Sequence, residues 1–262
     1  MVSLSRKKLI QRYYSARAKD YDRQKSRTWK TSRGFGNEVT DELHSALKGF
    51  GGRLVLEVGV GSGRNALPLL EKIRPQLVGL DLSKEMLQAA KTKMTPFKQN
   101  SNLILGDADH LPFTNRAFEA IICMSTMHYF ESQARMLQKF SKILKEKGVF
   151  VYGDLTIHEM DSHGFFEALE RTLSKAHTKY FKPSEMKRLI ETNGFRIVKT
   201  KTIAYRKSHQ ALMEDKGEYF DVKPEQLNEH VHAATPDVRE QYGLTATELT
   251  LYYTVIVAVR ED

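Results

Sequence analysis

Three carboxylates and three glycines in the first half of the chain are the residues best suited to chemistry. Glu57 closes an apolar run, and Gly59, Gly61 and Gly63 follow it at alternate positions. Glycines in that pattern let the backbone turn sharply and approach a bound molecule, and a helix that follows offers free N–H groups. Alone, such a loop also suits nicotinamide and flavin cofactors. Two details narrow it. The dinucleotide pattern G-x-G-x-x-G needs glycine at position 64, where this chain has Arg64. Glu57 lies two residues before the first glycine, where a negative group repels a pyrophosphate and suits a ligand with a cationic end. Asp81 ends the next apolar run and can accept hydrogen bonds from both hydroxyls of a ribose. Met86, five residues on, can cover an adenine face or fill the core. Asp107 follows the third run, within Gly106-Asp107-Ala108-Asp109-His110-Leu111-Pro112-Phe113, and can accept from an exocyclic amino group. Carboxylates at three successive strand ends describe one connected nucleoside site.

Other candidates carry a functional and a plain reading together. His128 follows the fourth apolar run and can orient or deprotonate a substrate, or serve as a structural hydrogen-bonding histidine. Tyr21 belongs to a Tyr-Asp pair that is either a lid contact or helix packing. Asp154 faces the same crevice, or caps the next helix. His158, Glu159, Asp161 and His163 have the residue types of a metal site, but position 162 is Ser and the spacing is not H-E-x-x-H. A solvated loop is the better reading, and no metal is expected. Cys123, the single cysteine, excludes an internal disulfide and any multi-thiolate site, and fits the core as a small apolar side chain.

These residues need elements to position them. Short runs rich in Val, Ile and Leu at 54–58, 77–80, 103–105, 118–124 and 149–152 alternate with helical patterns at about 64–73, 83–94, 131–145 and 162–178. Apolar runs alternating with helices imply a parallel sheet covered on both faces. A helix over 183–193 follows, then strands over 195–205 and 251–260, the last pairing antiparallel at the sheet edge. Polar, helix-leaning residues 207–248 between them are too long for a hairpin loop and read as an inserted helical lobe. At the start, Leu9, Ile10, Tyr13, Tyr14 and Tyr21 recur at helical spacing, predicting a helix over about 4–20, with another at 38–47.

A chain of 262 residues, 40% hydrophobic and 28% charged, is long enough for one large domain and too apolar for a disordered one. No apolar run approaches the roughly 18 residues of a membrane span, and the basic N-terminus lacks the apolar stretch of a secretory signal, so a cytoplasmic location is expected. The formal charge of +9 resides in residues 1–33, where eleven Lys and Arg face Asp20 and Asp22. Such an arm suits anionic partners or is simply a solvated helix face.

The chain resembles the Rossmann-like (class I) S-adenosylmethionine methyltransferases of the ubiquinone/menaquinone C-methyltransferase-like type. The resemblance covers about residues 13–200. It rests on Tyr13 to Asp22 (YYSARAKDYD), Leu56 to Asn65 (LEVGVGSGRN), Gly79 to Ser83 (GLDLS) with Met86, and Gly106 to Phe113. Ala120 to Phe130 (AIICMSTMHYF), Leu144-x-x-x-Gly148 and Phe181 to Phe195 add to it. It implies S-adenosylmethionine as cofactor: Glu57, Gly59, Gly61 and Gly63 at the methionine part, Asp81 at the ribose, and Asp107 with Ala108 at the adenine. Leu82 and Met86 join that set, and Met124 and Ser125 line the pocket beside the sulfonium. His128 and Tyr21 are the candidate catalytic residues. Two positions depart: many relatives have two histidines where this chain has His128-Tyr129, and Val149 stands where a second glycine is usual.

The reading is therefore an α/β, Rossmann-like, seven-stranded, mostly parallel sheet with an antiparallel last strand, N-terminal lid helices and a helical insertion before that strand. Residues 1–48 form a basic lid or arm, 49–206 the cofactor-binding core, 207–248 the insertion for substrate or oligomer contacts, and 249–262 the last core strand. Methyl transfer to oxygen, nitrogen or carbon of a small molecule, anionic or not, is expected by direct displacement, which demands alignment more than a catalytic triad. Two alternatives stand: methylation of RNA held by the basic arm with Trp29, which could equally lie on an anionic membrane, and a regulatory nucleoside-binding protein without catalysis.

Overall fold

A computed structural model describes residues 2–22 and 34–261. Arg23, Lys25, Arg27, Trp29, Lys30 and Arg33 of the basic arm lie outside the described residues. The elements in chain order are α1 (Val2–Arg17), α2 (Phe35–Ala46), β1 (Leu54–Val58), α3 (Ala66–Lys72), β2 (Gln76–Asp81), α4 (Lys84–Lys93), β3 (Ser101–Leu105), β4 (Phe118–Met124), α5 (Gln133–Ile143) and β5 (Leu144–Thr156). Then come α6 (Phe165–Leu173), α7 (Pro183–Glu191), β6 (Phe195–Ser208), α8 (His209–Phe220), α9 (Pro224–Ala233), α10 (Pro236–Gln241) and β7 (Glu248–Arg260).

The seven strands form one sheet in the order β3-β2-β1-β4-β5-β7-β6. β1 pairs in parallel with β2 and β4, while β7 runs antiparallel to both its neighbours. Alternate side chains feed opposite faces, as the strand period of two requires. Val55 and Ile122 join one core with Leu43, Leu69 and Ala90, and Leu56 and Ile121 join another with Leu137, Phe140 and Ile190. The chain leaves β1 toward β2 and β3 and then crosses to β4 on the other side. The carboxyl ends of β1 and β4 thus form a switch point with an open crevice, where ligands of doubly wound sheets bind.

One expectation is corrected: β7 is not at the edge but between β5 and β6, and β6 is outermost. β7 is buried almost continuously from Leu251 to Ala258, whereas β6 exposes Arg196, Lys199, Lys201 and Arg206 or leaves them half-buried. An unbroken apolar run needs a neighbour on each side, and charge belongs on the edge.

A third core lies beyond the strand ends. There α8, α9 and α10, the helices of the segment between β6 and β7, pack through Leu212, Leu227 and Val238 on Phe166 and Leu169 of α6 and on Tyr13 of α1. Arg17 of α1 reaches the side chain of Asp215 at 3.3 Å and its carbonyl oxygen at 2.7 Å, and Lys207 also pairs with Asp215. α1 is thereby fastened to α8. Among the described residues, no helix is long and apolar enough to cross a membrane.

The loop at 158–163 is also corrected, because Asp161 is buried rather than solvated. Its carboxylate accepts from the backbone N–H groups of His163, Phe165 and Phe166 and from the Tyr242 hydroxyl at 2.9 Å. It closes the start of α6, which begins at Phe165 and ends at Leu173, inside the expected 162–178. Glu159 accepts from the Ser184 N–H at the start of α7. Asp161→Ala would strand three helix-terminal donors and a buried phenol, so the urea midpoint should fall by the equivalent of about 2–4 kcal/mol; an unchanged midpoint would show that water replaces the carboxylate.

Candidate active site

Two adjoining cavities occupy the crevice. The first is bounded by the glycine loop, the ends of β2 and β4, and α1. The loop is held to β2 by its own backbone: the N–H groups of Gly59 and Val60 donate to the Leu80 carbonyl at 2.8 and 3.1 Å. Asp81 then takes the Gly61 N–H on one oxygen at 2.8 Å and the Ser83 N–H on the other at 2.9 Å. Burial raises its carboxyl above the ordinary value, against the N–H groups of Ser83, Gly61 and Leu82. Gly59 is required twice over. Its φ is +76°, and a Cβ there would collide with the Thr126 side chain.

Tyr21, Gly59, Gly61, Asp81, Leu82, Met86, Asp107, Met124 and Ser125 stand on the wall of this cavity. Glu57, Gly63 and Ala108 do not. Glu57 is fully buried beneath the loop, Ala108 is buried just past Asp107, and Gly63 packs on α4, where a Cβ would meet Met94 Sδ at 3.1 Å. Met86 is both buried and on the wall, so its two readings coincide.

Glu57 is the electrostatic centre of the loop. One oxygen accepts from Asn65 Nδ2 at 3.2 Å, and the other is buried without a hydrogen bond. Burial pushes the carboxyl up to about 8, despite Asn65 and the charge of Arg64. An orphaned buried carboxyl oxygen beneath a glycine turn suits a cationic ligand group. Asp81 suits a diol, Met86 an apolar face and Asp107 an amino group, so the residues present fit a sulfonium nucleoside.

α1 supplies the roof. Lys7, Ile10 and Tyr14 line the cavity, and Gln11 donates to the Leu82 carbonyl at 3.2 Å. Lys7 Nζ bridges Asp107 at 2.7 Å and Asp109 at 2.5 Å. Burial opposes ionising Asp107, but Lys7 and the Asp109 N–H outweigh it and hold the carboxyl below the usual range. Asp22, next to Tyr21, accepts from Ser62 Oγ at 2.7 Å and pairs with Lys93. The Tyr-Asp segment is thus tied down onto the glycine loop.

The second cavity lies between the end of the sheet, α1 and α8. It shares Tyr14, Tyr21, Arg64, Ser125 and Tyr129 with the first. Its wall combines tyrosines, Tyr13, Tyr180, Tyr205 and Tyr253 among them, with charged side chains that include Glu170, Lys207, Asp215 and Lys216. Tyr14 and Tyr129 meet hydroxyl to hydroxyl at 2.9 Å where the cavities join. Ser125 holds φ at +52°, a strained value for a serine, and its hydroxyl lies 3.1 Å from that of Tyr253. His128 opens on this cavity and is 8% exposed; its Nδ1 is 2.9 Å from each oxygen of Asp154. Asp154 therefore does not cap a helix. Among the described residues, no cluster of three or more His, Cys, Asp or Glu could hold a metal ion.

Sequence reasoning passed over Lys7, Tyr14, Arg64, Tyr129 and Tyr253 as cavity residues. Lys7 and Tyr14 read as an arm and a helix face, because nothing local indicates that α1 folds back over residues about a hundred positions away.

A mostly parallel sheet with a cavity at its switch point, closed by an antiparallel β7, matches the α/β methyltransferase fold. Residues 55–148 match the methyltransferase domain family. The uncharacterized methyltransferase YcgJ of Bacillus subtilis is 23% identical over 74% of this chain and 77% of its own. Its crystal structure superposes with a TM-score of 0.75 over 86% of this chain and 99% of that one, at 18% identity, which speaks for the fold. Demethylmenaquinone methyltransferase of Thermotoga maritima is 34% identical over 103 residues, 38% of this chain and 43% of the relative. Phosphoethanolamine N-methyltransferase 2 of Haemonchus contortus, solved with S-adenosylmethionine, shares the fold at a TM-score of 0.59 and 16% identity, over 87% and 53% of the two chains. Residues 55–148 carry a methyltransferase domain on an α/β methyltransferase fold, and the matches support a class I S-adenosylmethionine-dependent methyltransferase with S-adenosylmethionine as its methyl donor.

A buried carboxyl raised from 4.5 to about 8 leaves a pH signature. Between those values the folded protein keeps a proton that the unfolded chain releases, so Glu57 makes stability fall as pH rises through the window. Glu57→Gln cannot ionise. It should remove a drop on the order of a few kcal/mol between urea midpoints at about pH 5 and about pH 9. If the two proteins show the same pH dependence, Glu57 is not held neutral.

Proposed function

We propose that this methyltransferase acts on a small molecule seated in the second cavity, with the methyl donor held in the first. The observation that carries this reading is the shared wall. Five side chains line both cavities, so a molecule in one lies against a molecule in the other. A direct displacement needs that juxtaposition more than it needs acid–base groups. Relatives named for small acceptors, the demethylmenaquinone and phosphoethanolamine methyltransferases, point the same way.

When bound, the donor supplies an electrophilic methyl carbon on a cationic sulfur. The chain's part is to hold it: Glu57 and the loop from Gly59 to Gly63 at the amino-acid end, Asp81 and Leu82 at the ribose, Met86, Asp107 and Ala108 at the adenine, and Met124 and Ser125 near the sulfur. Tyr21, fastened through Asp22, closes water out of the passage between the cavities.

Methylation of RNA by way of the basic arm has less support. Lys7 is engaged with Asp107 and Asp109, and Arg17 is buried against Asp215, so both point into the protein rather than toward a phosphate backbone.

Incubating the protein with methyl-labelled S-adenosylmethionine and extract of its source cells tests the reading. Label should enter the small-molecule fraction, and label confined to RNA or protein would overturn it. Asp81→Ala should weaken binding of S-adenosylhomocysteine about tenfold or more by calorimetry, as loss of a charged hydrogen-bond acceptor would; equal affinity would mean that the ribose lies elsewhere.

A further inference from the structure

The second cavity contains a proton acceptor that alignment alone does not call for. Asp154 is 1% exposed and lies on β5, one strand over from the loop that carries His128. Its oxygens accept from the backbone N–H of His128 at 3.3 Å and of Leu155 at 2.9 Å, and both lie 2.9 Å from His128 Nδ1. A carboxylate offers only lone pairs, so this contact holds together only if Nδ1 carries the hydrogen. In the uncharged ring that tautomer leaves the lone pair on Nε2. Among the described residues the hydrogen bonds of this ring run through Nδ1 and leave Nε2 without one, and His128 lines the cavity.

The ring is also held in place. Tyr129 packs on it with centroids 3.9 Å apart, Tyr180 at 4.9 Å and His177 at 6.0 Å. The charged and titratable groups that face it are Asp154 from β5, Glu170 from α6 with its partner Lys216 from α8, Tyr129 beside it, and His177 and Tyr180 from the segment after α6. Glu170 is held below the ordinary carboxylate range: burial opposes ionisation, but Lys216 and His177 outweigh it. A second carboxylate near the ring therefore also favours a proton arriving on Nε2. A buried carboxylate behind a fixed imidazole, with the far nitrogen turned to the ligand, is how a general base is built.

A base is superfluous for a neutral amine or a carboxylate, which attack with a lone pair already available. It matters for a hydroxyl, whose proton must leave as the new bond forms. We infer that the methyl acceptor is a hydroxyl group, and that His128, oriented by Asp154, takes its proton. This rests on the acceptor lying in the second cavity. The hydroxyl oxygen bonds to the methyl carbon as its proton passes to Nε2. The carbon–sulfur pair stays on sulfur, and a methyl ether, S-adenosylhomocysteine and an imidazolium result; the imidazolium then returns its proton to water. His128 would be the catalytic residue and Asp154 the positioning one. The tyrosines of the wall, among them Tyr14, Tyr205 and Tyr253, suit an acceptor carrying a ring.

Two measurements test it. The first needs no acceptor. Nitrogen NMR of the imidazoles in the free protein, with the His128 signal identified by its loss in His128→Gln, should show Nδ1 protonated and Nε2 bare at about pH 8. Asp154→Asn should abolish that preference. A proton on Nε2 in the wild-type protein overturns the proposal.

The second takes the labelled small-molecule product of the extract experiment and treats it with hot hydriodic acid, after a mild-base wash to remove methyl esters. Label released as iodomethane under conditions that cleave ethers supports a hydroxyl acceptor. Label that is lost to base, or that stays with nitrogen or carbon, overturns it while leaving the small-molecule reading intact. Label found only in RNA or protein sinks the small-molecule reading first. With the product in hand, His128→Gln should lower kcat/KM roughly a hundredfold or more, with S-adenosylhomocysteine affinity within about twofold of wild type. Asp154→Asn should lower kcat more than it raises KM and flatten the acid limb of the pH profile. Near-wild-type turnover in His128→Gln would refute the assignment.

Discussion

The connections from β1 and β4 leave the sheet in opposite directions, so no chain crosses the carboxyl ends of these two strands. The reactive part of the molecule follows from that gap. On one side, the Gly59–Gly63 loop is drawn against β2 by the Leu80 carbonyl and the Asp81 carboxylate. On the other, the end of β4 turns through Ser125 into His128, within reach of Asp154 on β5. The donor half and the acceptor half are thus two sides of one topological seam.

The seam is open at the top, and α1 covers it. Lys7 ties its first half to Asp107 and Asp109, and Ser15 and Arg17 tie its last turn to Ser83 at 3.0 Å and to Asp215. The same helix therefore roofs the donor cavity and walls the acceptor cavity. The packing of α8, α9 and α10 on α6 and α1 closes the far side with apolar contacts, joined by the Arg17–Asp215, Lys216–Glu170 and Thr172–His230 pairs. Burial of the charges in and beneath the crevice is what makes them consequential. Glu57 is pushed toward its neutral form by desolvation, whereas Asp107 and Glu170 keep theirs ionised because lysines pair with them.

Much of this was legible in the residues. The strands over 54–58 and 118–124 fall where the apolar runs put them, and the others extend their runs by a few residues at the ends, where pairing continues through polar positions. Helix ends were less legible. The helix expected over 162–178 is cut at both ends, since Asp161 sets its start through backbone hydrogen bonds that no periodicity reveals. The position of β7 had a signal, its almost continuous apolar run against the charged alternation of β6, but the expectation set the last strand at the sheet edge.

By itself, the sequence determined the local matters: a glycine loop after Glu57, acids at Asp81 and Asp107, and an alternation of apolar runs and helices that admits one sheet type. Backbone conformation and one-dimensional periodicity settle these, because each depends on residues only a few positions apart. The tertiary structure decided what meets across long separations. Lys7 pairs with Asp107, His128 with Asp154, Asp161 with Tyr242, and Tyr14 with Tyr129. Those pairs depend on which strand neighbours which and on where α1 folds back, and a buried polar side chain must find its partner in space rather than in the chain.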